Sequence, residues 1–151
     1  MKIYKLAHNT IEDKDYEVLI NFLKKRKYLN QSKVTRKFEQ KFSSFLGLKA
    51  SLFVNSGSSA NLLMAQTLLE GKYLRNKVVV LPSLSWSTTV TPYLQLGYKI
   101  ILCDCDKENL GIDTNHLEKV CKKYNPGLLV FVNVLGHGND YEIILYLKKK
   151  I

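Results

Sequence analysis

Three short apolar runs, set apart by stretches of helical spacing, constrain this chain more than any other feature. They are Val78-Val79-Val80-Leu81, Lys99 to Cys103 and Leu128 to Val134. The first is apolar without interruption, the pattern of a parallel strand covered on both faces rather than one with a wet side. Pro82 ends it. Gly97, Pro126 and Gly127 punctuate the intervals, and helix-forming segments fill them. Strands alternating with helices of this length predict an α/β fold built on a mostly parallel sheet. A chain of 151 residues, 46% of them hydrophobic, is long enough to bury a core for it.

A fourth run, Ala50 to Val54, reads as a further buried strand. It leads into Val54-Asn55-Ser56-Gly57-Ser58-Ser59-Ala60-Asn61, after which Leu62, Leu63, Ala65, Gln66, Leu68 and Leu69 carry helical spacing. A Gly-Ser-Ser turn between a strand and a helix offers free backbone N–H groups and the positive end of the helix dipole at one point. Gly57 lets a ligand come close to the backbone, and Ser58 and Ser59 add hydroxyls. These are the components of a phosphate site. The plainer alternative is that one serine simply caps the helix.

The remaining elements follow the same signals. Residues 1–10 read as an irregular lead-in. A helix is expected from Glu12 to about Lys27, with Tyr16, Leu19, Ile20 and Leu23 on one face. Tyr28 to Ser32 is a polar connector. A second helix, Lys33 to Leu46, should bury Val34, Phe38, Phe42, Phe45 and Leu46, with Gly47 as its stop. The helix after Ser59 should end near Gly71. Another should follow the loop Ser83–Thr89 and run through Leu96. Asp113 or Thr114 can cap one that reaches Tyr124, and Asp140 starts a last one to Lys150. The expected organisation is an N-terminal arm and connector, 1–33, followed by 34–151. The chain stops in or just after a helix with no closing strand, which predicts a fragment of a longer protein.

The formal net charge is +10, from 23 basic and 13 acidic residues. The runs Lys24-Lys25-Arg26-Lys27 and Lys148-Lys149-Lys150 both close helices, where cations suit the negative end of the dipole. Solvated helix ends therefore rank ahead of a nucleic-acid surface, which would interleave such residues with stacking aromatics. A phosphorylated or nucleotide-linked small substrate would also be served by this field. Cys103, Cys105 and Cys121 lack zinc-like spacing, so buried structural thiols in a reducing cytoplasm are expected and no metal is. No apolar run is long enough to span a membrane.

Ligands of parallel sheets gather at the carboxyl ends of the strands. Three loops qualify: Asn55–Asn61, Pro82–Thr89 and Leu135–Asp140. The second holds the one tryptophan, Trp86, among hydroxyls. Trp86 is either a stacking platform for a planar ring or packing for the helix that follows. His137, in the third loop, reads as structural or exposed rather than catalytic.

Four successive blocks then resemble one family. They are Val54–Asn61, Val79–Thr89 (VVLPSLSWSTT), Ile101–Asp113 (ILCDCDKENLGID) and Val132–Asp140 (VNVLGHGND). In order and spacing they are similar to the DegT/DnrJ/EryC1/StrS family of pyridoxal-phosphate-dependent nucleotide-sugar aminotransferases, which also contains sugar 3-dehydratases. The upstream Phe38-Glu39-x-x-Phe42, ending in Phe45-Leu46-Gly47, resembles the family's helix before these blocks. The resemblance implies the three-layer large domain of fold type I, here incomplete, with 34–151 as its N-terminal half. It implies pyridoxal 5'-phosphate as cofactor, its phosphate on Gly57, Ser58 and Ser59 and its ring stacked by Trp86. It implies a nucleotide-linked 4-keto-6-deoxy sugar of the kind used in lipopolysaccharide synthesis, glutamate as amino donor, and a homodimer. Both the Asp that pairs with the pyridine nitrogen and the Lys that attaches to the cofactor (His in the 3-dehydratases) would lie beyond residue 151. No catalytic residue is therefore expected within this chain, and the 151 residues by themselves should not turn over. Asn133 stands where the family commonly has His, and His137 where it often has Gln or Asn. A non-catalytic fragment or basic binding module is the other alternative.

The basic helix end yields a test. In the full-length protein, charge reversal at Lys24 and Lys25 should raise KM for an anionic substrate and flatten its salt dependence. Unchanged kinetics at low salt would mark the run as a solvated helix end.

Overall fold

Val79, Val80 and Leu81 are fully buried (0% exposed), and their alternation decides the layering. Successive strand residues face opposite sides. Val79 and Leu81 pack with Ala65, Tyr93 and Tyr98 on one side. Val80 packs with Cys103, Ile112, Leu117, Val120, Ile144 and Leu147 on the other. The strand carrying them, β1 (Val78–Pro82), pairs in parallel with β2 (Lys99–Cys103) and with β3 (Leu128–Leu129). The order is β2-β1-β3, so β1 is the centre of a parallel sheet with helices on both faces, as the uninterrupted apolar run requires.

A computed structural model describes residues 8–26 and 28–150. The expected lead-in is therefore described only from His8 onward, and Lys27, the expected end of the first helix, lies outside the described residues. The helices are α1 (Asp13–Lys24), α2 (Lys33–Leu46), α3 (Gly57–Glu70), α4 (Ser87–Gln95), α5 (Thr114–Tyr124) and α6 (Tyr141–Lys150). The chain forms two compact units, divided after Phe53.

In the first unit, Gly47 ends α2 with φ +67°, a left-handed conformation that suits glycine. Two expectations fail here. The stripe on α2 is not buried: Val34, Phe38, Phe42 and Phe45 are 59%, 49%, 43% and 83% exposed. Two helices and one extended segment supply too little surface to cover it, and the rings pack on one another instead. Phe38 stacks on Phe42 at 5.8 Å and meets Phe53 edge-on at 5.4 Å. Nor is Ala50 to Val54 a buried strand. It has no ladder partner among the described residues, and Leu52 is exposed. Side chains take the bonds a ladder would make: the Phe53 amide donates to Glu39 Oε1 at 2.9 Å, and Gln31 Nε2 donates to the Phe53 carbonyl at 3.3 Å.

In the second unit, Asp113 caps α5 by accepting from the Asn115 and His116 amides at 2.8 and 2.9 Å. Asp140 does the same for α6 through the Ile143 amide at 3.1 Å. At the amino end of the sheet, Asn76 Oδ1 accepts from the amides of both Val78 and Gly127 at 2.9 Å, fixing β1 against β3. The third strand is shorter than the expected Leu128–Val134. One more ladder bond forms, from the Val130 amide to the Val80 carbonyl at 2.9 Å. The chain then leaves the sheet, because Asn139 takes the Val132 carbonyl and Leu135 turns left-handed at φ +52°. Cys103 and Cys121 are buried free thiols, as expected, and burial pushes the Cys103 thiol up from 9.0 to about 12.

Truncating the central strand is the direct check on this core. Leu81→Ala should lower unfolding stability by about 2–5 kcal/mol in a urea titration; a loss under about 1 kcal/mol would contradict a doubly covered β1.

Candidate functional site

Parallel strands send all their carboxyl ends to one edge, so Pro82, Cys103 and Leu129 open three loops on the same side. The Ser83 amide donates to the Cys103 carbonyl at 2.7 Å, tying the first of these to the end of β2. The α4 helix then starts at Ser87, inside what the sequence suggested was loop. Its N-cap is Trp86, a residue with no side-chain oxygen to offer the first amides. The indole is 76% exposed. Trp86 thus stands largely clear of its own helix, at the start of α4.

The start of α3 reaches the same edge through one bond. Asn61 Nδ2, in the second turn of α3, donates to the Thr88 carbonyl in the first turn of α4 at 3.2 Å. The two helix starts are held together, with their positive dipole ends on the carboxyl side of the sheet. The cap of α3 is Ser56, two residues before the first of the serines singled out in the sequence. Its Oγ accepts from the Ser59 amide at 3.1 Å and lies 3.1 Å from Ser59 Oγ. The Ser56 carbonyl accepts from the Ala60 amide at 3.1 Å. The Gly57 and Ser58 amides, in the first turn, have no intrahelical acceptor. The Ser58 hydroxyl is exposed and has no partner among the described residues, whereas the Ser59 hydroxyl turns back to the cap. A side-chain carbon added to Gly57 would meet nothing within 4 Å, so the space beside this glycine is open. Two amides, one hydroxyl and a helix dipole are a donor set for a dianionic phosphate.

The third loop is organised by residues that the sequence left without a role. Asn133 Oδ1 accepts from Asn139 Nδ2 at 2.8 Å, and Asn133 Nδ2 donates to the Tyr141 hydroxyl at 2.6 Å. His137 is exposed and contributes only its amide to the turn, at 2.9 Å from the Val134 carbonyl. Three signals for the overlooked residues were present. Ser56 stands three positions before Ser59, the spacing of a cap. Asn61 is a weak helix former inside a leucine-rich helix. Asn139 directly precedes the capping Asp140.

Comparison with known proteins bears on this arrangement. The profile of the DegT/DnrJ/EryC1/StrS aminotransferase family matches residues 9–151. The GDP-4-keto-6-deoxy-D-mannose 3-dehydratase of Yersinia pseudotuberculosis is 33% identical over 144 residues, 93% of this chain and 36% of that protein. The UDP-4-amino-4,6-dideoxy-N-acetyl-beta-L-altrosamine transaminase of Helicobacter pylori is 28% identical over 150 residues, 99% of this chain and 39% of that protein. Among solved structures, the E. coli GDP-4-keto-6-deoxy-D-mannose-3-dehydratase with bound hydrated PLP matches with a TM-score of 0.79 at 27% identity, covering 99% of this chain and 39% of that one. The aminotransferase PseC of Helicobacter pylori matches with a TM-score of 0.81, also at 27% identity and with the same coverage. This chain thus spans between 36% and 39% of the length of these relatives. The matched profile, running from residue 9 through both helix starts and the loop after β3, shows that the chain belongs to the DegT/DnrJ/EryC1/StrS aminotransferase family of pyridoxal-phosphate-dependent, fold type I proteins.

Proposed function

We propose that this chain supplies the phosphate-binding and ring-stacking part of a pyridoxal-phosphate enzyme that aminates a nucleotide-linked 4-keto-6-deoxy sugar, with glutamate as amino donor, in a homodimer. The observation that carries the reading is the open first turn of α3, coupled through Asn61 to the turn that bares Trp86. Gly57 and Ser58 offer amides to the cofactor phosphate and Ser58 adds its hydroxyl; Ser59 acts through its place in the cap. Trp86 offers an aromatic face to the pyridine ring. When bound, pyridoxal phosphate supplies an electron-withdrawing ring that stabilises negative charge on a neighbouring carbon. The residues of this chain bind and orient that ring.

Removal of the sugar's 3-hydroxyl instead of amination is the second reading. It is favoured by the 33% identity to the Yersinia 3-dehydratase, against 28% to the Helicobacter transaminase. Both readings use the same cofactor site and differ in the product. The protein from the complete reading frame, given pyridoxal phosphate, glutamate and a GDP-linked 4-keto-6-deoxyhexose, should give an amino sugar under the first and a 3-deoxy sugar under the second. Failure to bind pyridoxal phosphate would overturn both.

The site residues are tested separately. Ser58→Ala removes one hydrogen bond to a charged group, roughly 1.5–3 kcal/mol, and should weaken cofactor binding about tenfold to a hundredfold. Trp86→Ala should weaken binding and shift the cofactor's absorption band, while Trp86→Phe keeps most of both because a π-face remains. A loss of thermal stability without a spectral shift would remove Trp86 from the site.

A further inference from the structure

Asn139 is 7% exposed, and its side chain is bonded at both ends. Its Oδ1 accepts from the Ile112 amide at 2.8 Å. Its Nδ2 donates to the Val132 carbonyl at 3.0 Å and to Asn133 Oδ1 at 2.8 Å. One side chain therefore ties the loop that follows β2 to the loop that follows β3. The fit is tight on the first side: a side-chain carbon at Gly111 would lie 2.8 Å from Asn139 Oδ1.

The second side has a directional consequence. Asn133 Oδ1 receives the Asn139 Nδ2 hydrogen and also faces the Asn139 amide at 3.3 Å. With that oxygen identified as the acceptor, the orientation of the Asn133 amide is settled and its Nδ2 is the group 2.6 Å from the Tyr141 hydroxyl. Tyr141 then accepts from Asn133, and its own hydrogen can turn from Asn133 Oδ1, 3.0 Å away and already supplied with donors, to an outside acceptor. The ring is held edge-on to Phe131 at 5.5 Å and remains 43% exposed. Asn133 is exposed as well, and lies four residues beyond the end of β3, on the edge where α3 and α4 begin.

We propose that Asn139 is a positioning residue that sets the Asn133 amide so that the Tyr141 hydroxyl donates a hydrogen bond to an oxygen of the substrate's hydroxylated sugar ring. This rests on the sugar-substrate reading above. A buried asparagine that only joined two loops would leave substrate affinity untouched.

Asn139→Asp separates the two ends of the clamp. The carboxylate still accepts from Ile112 but opposes the Val132 carbonyl and Asn133 Oδ1 with a charge. Tyr141→Phe removes the hydroxyl and keeps the ring on Phe131. In the protein from the complete reading frame, each should raise KM for the nucleotide sugar about tenfold, the loss of one hydrogen bond. In each, kcat should stay within about twofold and pyridoxal-phosphate affinity should not change. A lowered Tm with unchanged KM in both would overturn the proposal, as would a fall in kcat alone. If Asn139→Asp does not fold, Tyr141→Phe and Asn133→Ala decide by the same split. A wild-type protein that binds no pyridoxal phosphate sinks the functional reading instead. Amide exchange in Asn139→Asp then judges the clamp: faster exchange at Gly136 and His137 with β1 unaltered supports it, and an unchanged loop overturns it.

Discussion

Parallel pairing on both sides of β1 is the constraint from which the rest of the second unit follows. A parallel neighbour cannot be reached by a tight turn, so each connection must carry a helix across a face of the sheet. With neighbours on both edges and helices on both faces, Val79, Val80 and Leu81 lose all contact with water. The same geometry gathers every strand's exit on one side. Function there does not need a separate scaffold, because the packing that stabilises the sheet also collects the loops.

What joins those exits is a small number of amide side chains. Asn61 links the starts of α3 and α4, and Asn139 links the loops after β2 and β3. An amide suits this work because it donates and accepts at once without charge, and two backbone segments seldom present the same kind of partner. Tyr98 plays a related part on the buried side, where its hydroxyl donates to the Ala65 carbonyl at 3.0 Å and fastens α3 over the sheet.

Periodicity made the fold class readable, and it made the caps Asp113 and Asp140 and the stop at Gly47 readable too, since those depend on neighbours a few residues away. It failed where a segment's state is set by partners distant in sequence. Ala50 to Val54 has the composition of a strand, but Glu39 and Gln31 hold its backbone instead of a ladder. The apolar stripe of α2 is real in sequence and unburied in the unit that contains it. Leu128 to Val134 reads as one strand because nothing local announces that Asn139 will capture the Val132 carbonyl. At the candidate site, the helix start at Gly57 and the place of Trp86 in the turn after β1 were legible because a helix start and a lone large aromatic are local features. The roles of Ser56, Asn61 and Asn139 were not, because each consists of which group it bonds.

The staple at the far end of the sheet has an evolutionary consequence. Asn76 bridges Val78 and Gly127, its Nδ2 donates to the Asn125 carbonyl at 2.9 Å, and a side-chain carbon on Gly127 would come within 2.5 Å of the Asn76 carbonyl. One residue inserted or deleted between Asn125 and Leu128 would slip β3 against β1 and turn its side chains to the opposite face. Length variation among descendants of this chain should therefore be excluded from the amino end of the sheet and accumulate in the segments leaving the carboxyl end. There an added residue lengthens a loop without shifting a strand, and a lineage can change what it recognises while the sheet beneath stays in register.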